Sequence, residues 1–276
     1  MPGTAEFDAF YAKLYGSRWE SLRCAMLEPN DAVGLRLKAT DHGDRVQLEI
    51  VDPPEEGLYR IDRASLSAAQ ALVLPDQGMV LDACAAPGGK TLVLAASGSQ
   101  HLRIDANELS VDRRRRLREV LDRHLPEGVR KRVIVSGYDA ATLCKKRPSY
   151  YDAILLDAPC SSERHVLQDA HVLEQWTPAR TRNLAFRQWA LLSSAFLMLK
   201  PGGCLVYATC SISELENDGV LERLCKKYDG HFRLDPPSWG EPTRHGVIML
   251  PDREHGAGPL YVARLFKAEE QSFQGA

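Results

Sequence analysis

The sequence of 276 residues lacks the features that would mark a membrane or secreted protein. It has no apolar run of roughly 18 residues, so no membrane-spanning helix is expected. Its first residues have neither the basic and then apolar order of a secretion signal nor the Arg-rich, acid-poor composition of a transit peptide. Internal repeats are also absent. These absences favour a cytoplasmic protein and leave an organellar location open.

An excess of positive charge is missing too. The 35 Lys and Arg are balanced by 37 Asp and Glu, which gives a formal net charge of −2. Because the chain as a whole does not attract a polyanion, only a local patch could bind one. The seven cysteines include no C-x-x-C pair, which argues against a zinc site or a disulfide scaffold and favours free thiols. We therefore expect no metal and no membrane partner.

What the sequence does contain is an alternation of strand and helix patterns that begins near Val80. Apolar runs predict seven strands, at 79–81, 102–108, 133–135, 153–157, 204–210, 231–234 and 260–266. Helical patterns lie at 64–74, 91–96, 111–124, 180–199 and 217–228, and Pro201-Gly202-Gly203 is expected to stop the longest. This alternation is typical of an α/β fold with a doubly wound, mostly parallel sheet, whose ligands bind at the carboxyl ends of the strands. We assign residues 61–276 to this domain.

Residues 1–60 form a second expected unit, a small N-terminal extension. Two short helices broken near Gly16 are expected there, and Phe7 and Tyr11 share one face of the first. The alternating run at 46–50 predicts one strand.

The stretch from Leu81 to Thr91 opens the alternation with a strand, a loop that contains two adjacent glycines, and a helix. Glycine lets backbone N–H groups approach a ligand, because it has no Cβ. One hypothesis is a P-loop ATPase, since Gly89-Lys90-Thr91 matches the end of G-x-x-x-x-G-K-[ST]. However, Cys84 stands where the first Gly should be, and Pro87 lacks one of the N–H groups that would cradle phosphate. The phosphate-binding motif is therefore incomplete.

A site for S-adenosylmethionine is the other hypothesis for this loop. Glu108, at the end of the second strand, would accept hydrogen bonds from the ribose hydroxyls, as the acid of a dinucleotide site does. Asp139 would accept from the adenine amino group, and Asp157 would face the methionine ammonium or the substrate. One acid at a strand end is often merely solvated, but three at successive strand ends point to a shared ligand.

Two cysteines follow neighbouring strands: Cys160 closes Asp157-Ala-Pro-Cys160, and Cys210 follows Thr209. A lone cysteine is more often a small core residue, and for that reason Cys204 is expected to be structural. A pair of thiols at one edge of the sheet suits covalent catalysis at C5 of a pyrimidine. A thiolate adds to C6, C5 then attacks a methylsulfonium, a base removes the C5 proton, and the thiol is eliminated.

Three motifs resemble those of the RNA cytosine-C5 methyltransferases of the Nop/Sun family. They are Asp82-Ala-Cys-Ala-Ala-Pro-Gly-Gly-Lys-Thr91, Asp157-Ala-Pro-Cys160, and Tyr207-Ala-Thr-Cys-Ser211 after Lys200-Pro-Gly-Gly203. The resemblance covers roughly Tyr59 to Lys267 and implies a seven-stranded Rossmann-like methyltransferase sheet. The run from Asp157 to His165, with the segment from Phe7 to Trp19, is most similar to the compact organellar branch, which modifies ribosomal or transfer RNA.

The resemblance also implies roles for individual residues. Cys210 would be the nucleophile and Cys160 would assist release of the methylated RNA, while Asp157 and Lys90 would border the cytosine. The cofactor would be S-adenosylmethionine. The residues implied to bind it are Cys84, Ala85, Ala86, Pro87, Gly88, Gly89, Lys90, Glu108, Arg113, Asp139 and Asp157. Glu108 stands where the family more often has Asp, and Arg113 is equally well read as a solvated residue of a basic helix.

RNA is the expected partner, and residues 103–147 carry thirteen Lys and Arg against seven Asp and Glu, a local excess of +6. Phosphate contacts by this region would make binding salt-dependent, but a solvated helix face would look the same. Arg164 and His165 are expected near a cytosine flipped out of its stack. Many bacterial members of the family carry an extra RNA-binding domain at one end, whereas about 60 residues precede the resemblance here and almost none follow it, so we expect that a protein partner could supply RNA affinity. The alternative function is a non-catalytic RNA assembly factor that retains the cofactor fold.

Overall fold

The computed structural model describes residues 2–40 and 46–269. Its helices are α1 (Pro2–Tyr15), α2 (Trp19–Leu27), α3 (Arg63–Gln70), α4 (Gly89–Ser97), α5 (Val111–His124), α6 (Glu127–Arg130), α7 (Glu163–Gln168), α8 (Ala170–Glu174), α9 (Pro178–Met198) and α10 (Asp218–Lys227). Its strands are β1 (Ala32–Ala39), β2 (Val46–Val51), β3 (Tyr59–Asp62), β4 (Gln77–Asp82), β5 (His101–Asn107), β6 (Val133–Ser136), β7 (Tyr151–Asp157), β8 (Leu199–Thr209), β9 (Phe232–Leu234), β10 (Glu241–Pro242), β11 (Val247–Met249) and β12 (Leu260–Lys267). In these ranges, no helix is long and apolar enough to cross a membrane.

The larger sheet has the strand order β10-β11-β12-β8-β7-β4-β5-β6, and β9 pairs with β12. Strands β6, β5, β4, β7 and β8 are parallel, whereas β12 runs antiparallel to β8. All seven predicted strands are present, and the short strands β10 and β11 extend the antiparallel edge. The predicted doubly wound, Rossmann-like α/β sheet is therefore confirmed.

Alternation along the central strands fills two cores, one on each face of this sheet. In β4, Val80 contributes to one core and Leu81 to the other. Helices α3, α4 and α5 cover the first face, and α9 and α10 cover the second. Because both faces are covered, the central strands β4 and β7 are largely apolar, and each ends in an acid at its carboxyl end, Asp82 and Asp157. This arrangement leaves those ends as the open edge for polar groups.

The N-terminal segment packs onto this framework. A 3₁₀ turn at Gly16–Arg18 separates α1 from α2, as predicted. Phe7, Tyr11 and Trp19 are buried and share a core with residues of the large sheet. Strands β2, β1 and β3 form a separate antiparallel sheet, of which only β2 was predicted. The division of the chain at residue 60 stays a prediction. Strand β3 crosses that position, and both cores include residues of the N-terminal extension.

Helix α3 ends earlier than predicted, at Gln70 rather than near residue 74. Pro75 disfavours helical geometry in Leu74, the residue before it. Helix α9 ends at Met198, within one residue of the predicted end, and Pro201 follows two residues after the C-cap Leu199. Residues Pro201-Gly202-Gly203 lie inside β8, where the pairing with β7 shifts register and Gly202 has φ +74°.

Candidate active site

Loops from five parallel strands gather at the carboxyl edge of the sheet. The loop after β4 is tied to strands on both sides, because Ala83 N donates to Leu155 O at 2.9 Å and Ala85 N donates to Asn107 O at 2.9 Å. This is where the strand order reverses, and such switch points open crevices for ligands. The loop after β4 is thus held at the strand ends, where the site is predicted to lie.

The loop requires glycine at Gly88 and at Gly89 for different structural reasons. Gly88 has φ +123°, which side chains rarely tolerate, and it precedes α4. A Cβ on Gly89 would lie 2.6 Å from Cε1 of Tyr59. At the end of β4, the Asp82 carboxylate accepts from Thr91 Oγ1 at 2.7 Å, which fixes the strand to the first turn of α4. The loop is therefore a rigid frame.

A cavity of about 380 Å³ lies beside this loop. Three predicted cofactor residues, Cys84, Glu108 and Arg113, line it, together with Tyr138 and Arg187. A second, smaller cavity of about 160 Å³ shares Cys84 with the first and is also lined by Ala85, Ala86, Pro87, Gly89, Lys90 and Asp157. A third cavity of about 350 Å³ shares Lys90 and Asp157 with the second and contains Cys210. The three cavities thus form a path from Glu108 to the Cys210 thiol.

Glu108 offers an acceptor in the first cavity although the residue is only 4% exposed. Its Oε1 accepts from Ser110 N at 2.9 Å. Its Oε2 lies 3.4 Å from Arg113 Nη1 and has no hydrogen bond within the described ranges. Arg113 also donates to Ala86 O at 2.8 Å, which keeps its guanidinium at the loop. A buried acceptor oxygen without a hydrogen bond fits a ligand that brings hydroxyl donors.

Asp139 lies between two residues that line the first cavity, Tyr138 and Ala140. Its Oδ1 accepts from Arg187 Nη2 at 2.6 Å, and this hydrogen bond lowers the pKa of the carboxyl. Any contact of Asp139 with an adenine amino group would therefore be shared with Arg187. The sequence reasoning missed Arg187, since it projects from the middle of α9 and belongs to no motif.

The two predicted thiols meet at the edge of the third cavity. Cys160 Sγ lies 2.7 Å from Cys210 Sγ, and both cysteines are free. The hydrogen bond with Cys210, and then burial, raise the pKa of Cys160 well above its usual range. Cys160 is therefore the thiol that holds its proton more tightly, and either sulfur can be the donor in this contact. Ser162 Oγ, which the sequence reasoning missed, lies 3.0 Å from Cys210 Sγ as a second possible donor.

Lys90 and Asp157 form an ion pair between the second and third cavities, with Lys90 Nζ 2.7 Å from Asp157 Oδ2. Lys90 Nζ also donates to Ser65 Oγ at 3.1 Å. Burial lowers the pKa of Lys90, but Asp157 and the neighbouring acids outweigh it, so that the pKa is raised. The Lys90 side chain, which lines the third cavity together with Cys210, is thus a charged ammonium.

Arg164 and His165 both line the third cavity. Arg164 is already engaged by main-chain carbonyls, since it donates to Gly256 O at 2.7 Å and to Glu28 O at 2.8 Å. It therefore joins the end of α2 to the loop before β12. The predicted RNA contact of Arg164 and His165 stays a prediction, and the exposed His165 is the freer of the two.

The basic region between 103 and 147 is only partly available to a partner. Arg114 donates to Glu108 O at 2.7 Å, Arg130 pairs with Asp122 at 2.6 Å, and Arg147 pairs with the buried Asp105. The cations left exposed on the surface include Arg115, Arg116, Arg118, Arg123, Lys145 and Lys146.

Within the residues described, no group of three or more His, Cys, Asp or Glu could hold a metal ion.

Comparison with known proteins gives this geometry a family context. A sequence model described as 16S rRNA methyltransferase RsmB/F matches residues 69–266. The chain is 33% identical over 228 residues to 5-cytosine rRNA methyltransferase NSUN4 of Mus musculus, covering 76% of this chain and 60% of that protein. It is also 33% identical over 223 residues to the mitochondrial tRNA (cytosine(34)-C(5))-methyltransferase of Danio rerio, with the same coverage of 76% and 60%. The chain therefore spans about 60% of the length of these relatives.

A solved structure supports the fold. The crystal structure of a methyltransferase homologue from Pyrococcus horikoshii superposes with a TM-score of 0.71 at 24% identity, over 93% of both chains. At 24% identity this likeness shows the fold alone, and it agrees with the Rossmann-like α/β sheet of the strand order.

Proposed function

This chain belongs to the 16S rRNA methyltransferase RsmB/F family, and from that premise we propose that it transfers a methyl group from S-adenosylmethionine to C5 of a cytosine in RNA. The observation that carries the proposal is the pair of thiols, Cys160 and Cys210, 2.7 Å apart at the end of a cavity path that begins at Glu108. The relatives named above act on rRNA and tRNA, so we propose one of these as the substrate.

The first cavity supports S-adenosylmethionine as the cofactor. Its size suits a nucleoside, and the Glu108 carboxylate in its wall, with an Oε2 that accepts no hydrogen bond within the described ranges, suits the ribose hydroxyls. The loop residues from Cys84 to Gly89 would hold the amino-acid part, and Arg113 would border Glu108. When bound, S-adenosylmethionine supplies an electrophilic methyl group. The P-loop ATPase hypothesis is set aside, because the family is one of methyltransferases.

The thiols divide the reaction between them. Cys210 adds to C6 of the cytosine as a thiolate, and the electrons of the C5–C6 double bond move to C5, which becomes the nucleophile. The Lys90 ammonium and the donors Cys160 and Ser162 stabilise this thiolate before it attacks. After C5 is methylated and its proton is removed, the S–C6 bond breaks. Cys160, the protonated partner, is placed to donate to the departing sulfur.

Lys90 and Asp157 hold the polar edge of the base in this proposal. Lys90 can donate to an acceptor of the ring and take up negative charge as it develops, and Asp157 can accept from the exocyclic amino group. Their own ion pair keeps Lys90 charged and directed toward the third cavity. The pair would thus select cytosine, which presents both an acceptor and an amino group.

The competing function is a non-catalytic assembly factor that binds RNA, and one experiment separates the two. The protein is incubated with rRNA or tRNA from cells that lack it and with S-adenosylmethionine carrying a labelled methyl group. Digestion of the RNA to nucleosides should yield labelled 5-methylcytidine. RNA binding without any labelled nucleoside would favour the assembly factor. A protein partner and a cytoplasmic location stay predictions.

Glu108→Gln is expected to weaken cofactor binding by about 10- to 100-fold, because it replaces a charged acceptor of two hydroxyl donors with a neutral one. The substitution is nearly isosteric, so the fold should persist. Calorimetric titration with S-adenosylmethionine measures the change. Glu119→Gln, at an exposed position on α5, is the matched control. Equal affinities of the two variants would remove Glu108 from the cofactor site.

Replacing Arg115, Arg116 and Arg118 with Gln is expected to weaken RNA binding without changing cofactor affinity. For each Arg that contacts a phosphate, the slope of log affinity against log salt should fall by about 1. Filter binding of RNA over a salt series measures the slope. The control removes the same charge elsewhere, by Lys13→Gln, Lys226→Gln and Lys227→Gln. The same loss in both triple variants would indicate a general charge effect, not an RNA-binding face.

A further inference from the structure

Beneath the two thiols lies a pair of carboxyl groups that the proposed reaction does not use. Glu163, the first residue of α7, and Glu216, in the loop after β8, are each 0% exposed. Within the described ranges, neither forms an ion pair with Lys, Arg or His. Two acids buried without a cation are costly, so their retention calls for a specific structure around them.

The contacts of the pair cross from one thiol loop to the other. Glu216 lies six residues after Cys210, yet its Oε2 accepts from Ser161 N, next to Cys160, at 3.0 Å. Glu163 lies three residues after Cys160, yet its Oε2 accepts from Ile212 N, two residues after Cys210, at 3.0 Å. Each loop thus supplies a carboxyl that binds the main chain of the other. The two bonds fix the spacing of the loops that carry the sulfur atoms.

The Ser161 hydroxyl shows how many protons the pair holds. Its Oγ is hydrogen-bonded to both Glu163 Oε1 and Glu216 Oε1. A hydroxyl has one proton to donate, and an ionised carboxylate only accepts. Two ionised carboxylates could not both bond to this oxygen, so one of them carries a proton and donates it to Ser161.

The remaining contacts place that proton on Glu216. The Glu163 carboxylate accepts from Tyr11 at 2.6 Å as well as from Ile212 N, which suits an anion. On Glu216, Oε2 is taken by Ser161 N and by Gln188 Nε2 at 2.7 Å. Its Oε1 contacts only the hydroxyl groups of Ser161 and Ser211 within the described ranges, and it can therefore carry the proton. The chain of donors runs from Glu216 through the Ser161 hydroxyl to Glu163.

The titratable groups that face Glu216 are all acids: Glu163, Tyr11 of α1, Tyr207 of β8 and Cys160. Burial, and then the charge of Glu163, raise the pKa of Glu216 to about 7. A raised pKa means that the folded chain favours the protonated form. The bridge is therefore complete at low pH and is lost as the pH rises through about 7.

We propose that Glu163 and Glu216 are positioning residues that share one proton and set the distance between the Cys160 and Cys210 thiols. The inference rests on the proposed function for its effect on catalysis. Its geometric part concerns the two loops alone and can be measured without RNA or cofactor.

The test compares four proteins: the wild type, Glu216→Gln, Glu216→Ala and Glu163→Gln. The glutamine at 216 reproduces the protonated acid, because its amide donates to Ser161 and its oxygen accepts from Ser161 N and Gln188. It should keep kcat near the wild-type value. In Glu163→Gln the new amide N–H group faces a donor, either the Tyr11 hydroxyl or Ile212 N, so one of the two hydrogen bonds is lost. Glu216→Ala removes the hydrogen bonds of this carboxyl to Ser161. Both should lower kcat by about 100-fold with little change in the KM for S-adenosylmethionine.

A pH series adds a readout that a merely structural role would not move. From about pH 6 to about pH 8, the ratio of kcat for Glu216→Gln to that of the wild type should rise, because glutamine cannot lose the proton. Thermal melting checks that each variant is folded. A flat ratio together with an equal kcat in Glu163→Gln would overturn the proposal.

Thiol oxidation measures the geometry without methyl transfer. Diamide joins two close thiols into a disulfide as the diamide itself is reduced, and peptide mass spectrometry gives the rate for the Cys160–Cys210 pair. The rate should be similar in the wild type and Glu216→Gln and slower in the other two variants. This order in a protein that transfers no methyl group would support the positioning role and contradict the proposed function. Equal rates in all four would contradict the positioning role.

Discussion

Methyl transfer to RNA is expected to fall by about 10⁴-fold or more when Cys210 is replaced with alanine, the scale of loss on removing a covalent nucleophile. In the proposed mechanism the Cys210 thiolate is what makes C5 reactive, so its removal leaves C5 a poor nucleophile. Cofactor affinity should be unchanged, because Cys210 lines the third cavity and Glu108 the first. Initial rates with labelled S-adenosylmethionine and RNA measure the loss.

The matched control for this variant is Cys24→Ala, which removes an exposed thiol of α2. It should keep the wild-type rate. Full activity of Cys210→Ala would remove the thiol from the mechanism. A loss of cofactor binding in the same variant would mean that the substitution acts through the fold.

Replacing Cys160 with alanine is expected to leave a covalent protein–RNA adduct that survives denaturation. Cys160 Sγ lies 2.7 Å from Cys210 Sγ, and its raised pKa keeps the proton that the departing Cys210 sulfur needs. Without this donor, the S–C6 bond forms but breaks slowly, and turnover should fall by about 10²- to 10⁴-fold. A denaturing gel with end-labelled RNA shows the adduct as a slower band.

Two further variants make this result specific. The double variant Cys160→Ala with Cys210→Ala should show no adduct, because the bond is made by Cys210. Cys160→Ser keeps a group that can donate a proton, although the hydroxyl is a weaker acid than the thiol, and this variant should accumulate less adduct than Cys160→Ala. An adduct in Cys210→Ala, and none in Cys160→Ala, would reverse the roles of the two thiols.

The strand and helix order could be predicted from the sequence because the sheet is buried on both faces. Runs such as 153–157 are apolar until their last residue, so that both the strand and its polar carboxyl end can be recognised in the sequence. Strand β1 was missed, although Val33, Leu35 and Leu37 alternate with polar residues. Gly34, where a Cβ would lie 2.9 Å from Leu58, interrupts that pattern for a reason found only in the packing.

The motifs brought the predicted residues together, but they did not reveal contacts between distant loops. Cys160 and Cys210 follow strands that are neighbours in the sheet, so their proximity could be expected. The bond of Ser161 to Glu216 and the bond of Arg187 to Asp139 join residues about 50 positions apart with no shared motif. Nor could sequence separate the exposed Arg116 from Arg114, which is held by Glu108 O.

The most direct test of the central claim is tritium release from RNA whose cytosines carry tritium at C5. Methylation at C5 must expel that hydrogen, so wild-type protein should release tritium into water only when S-adenosylmethionine is present, one atom for each methyl group transferred. Cys210→Ala should release none. Methyl transfer to the RNA without tritium release would place the methyl group on another atom and contradict the proposed function.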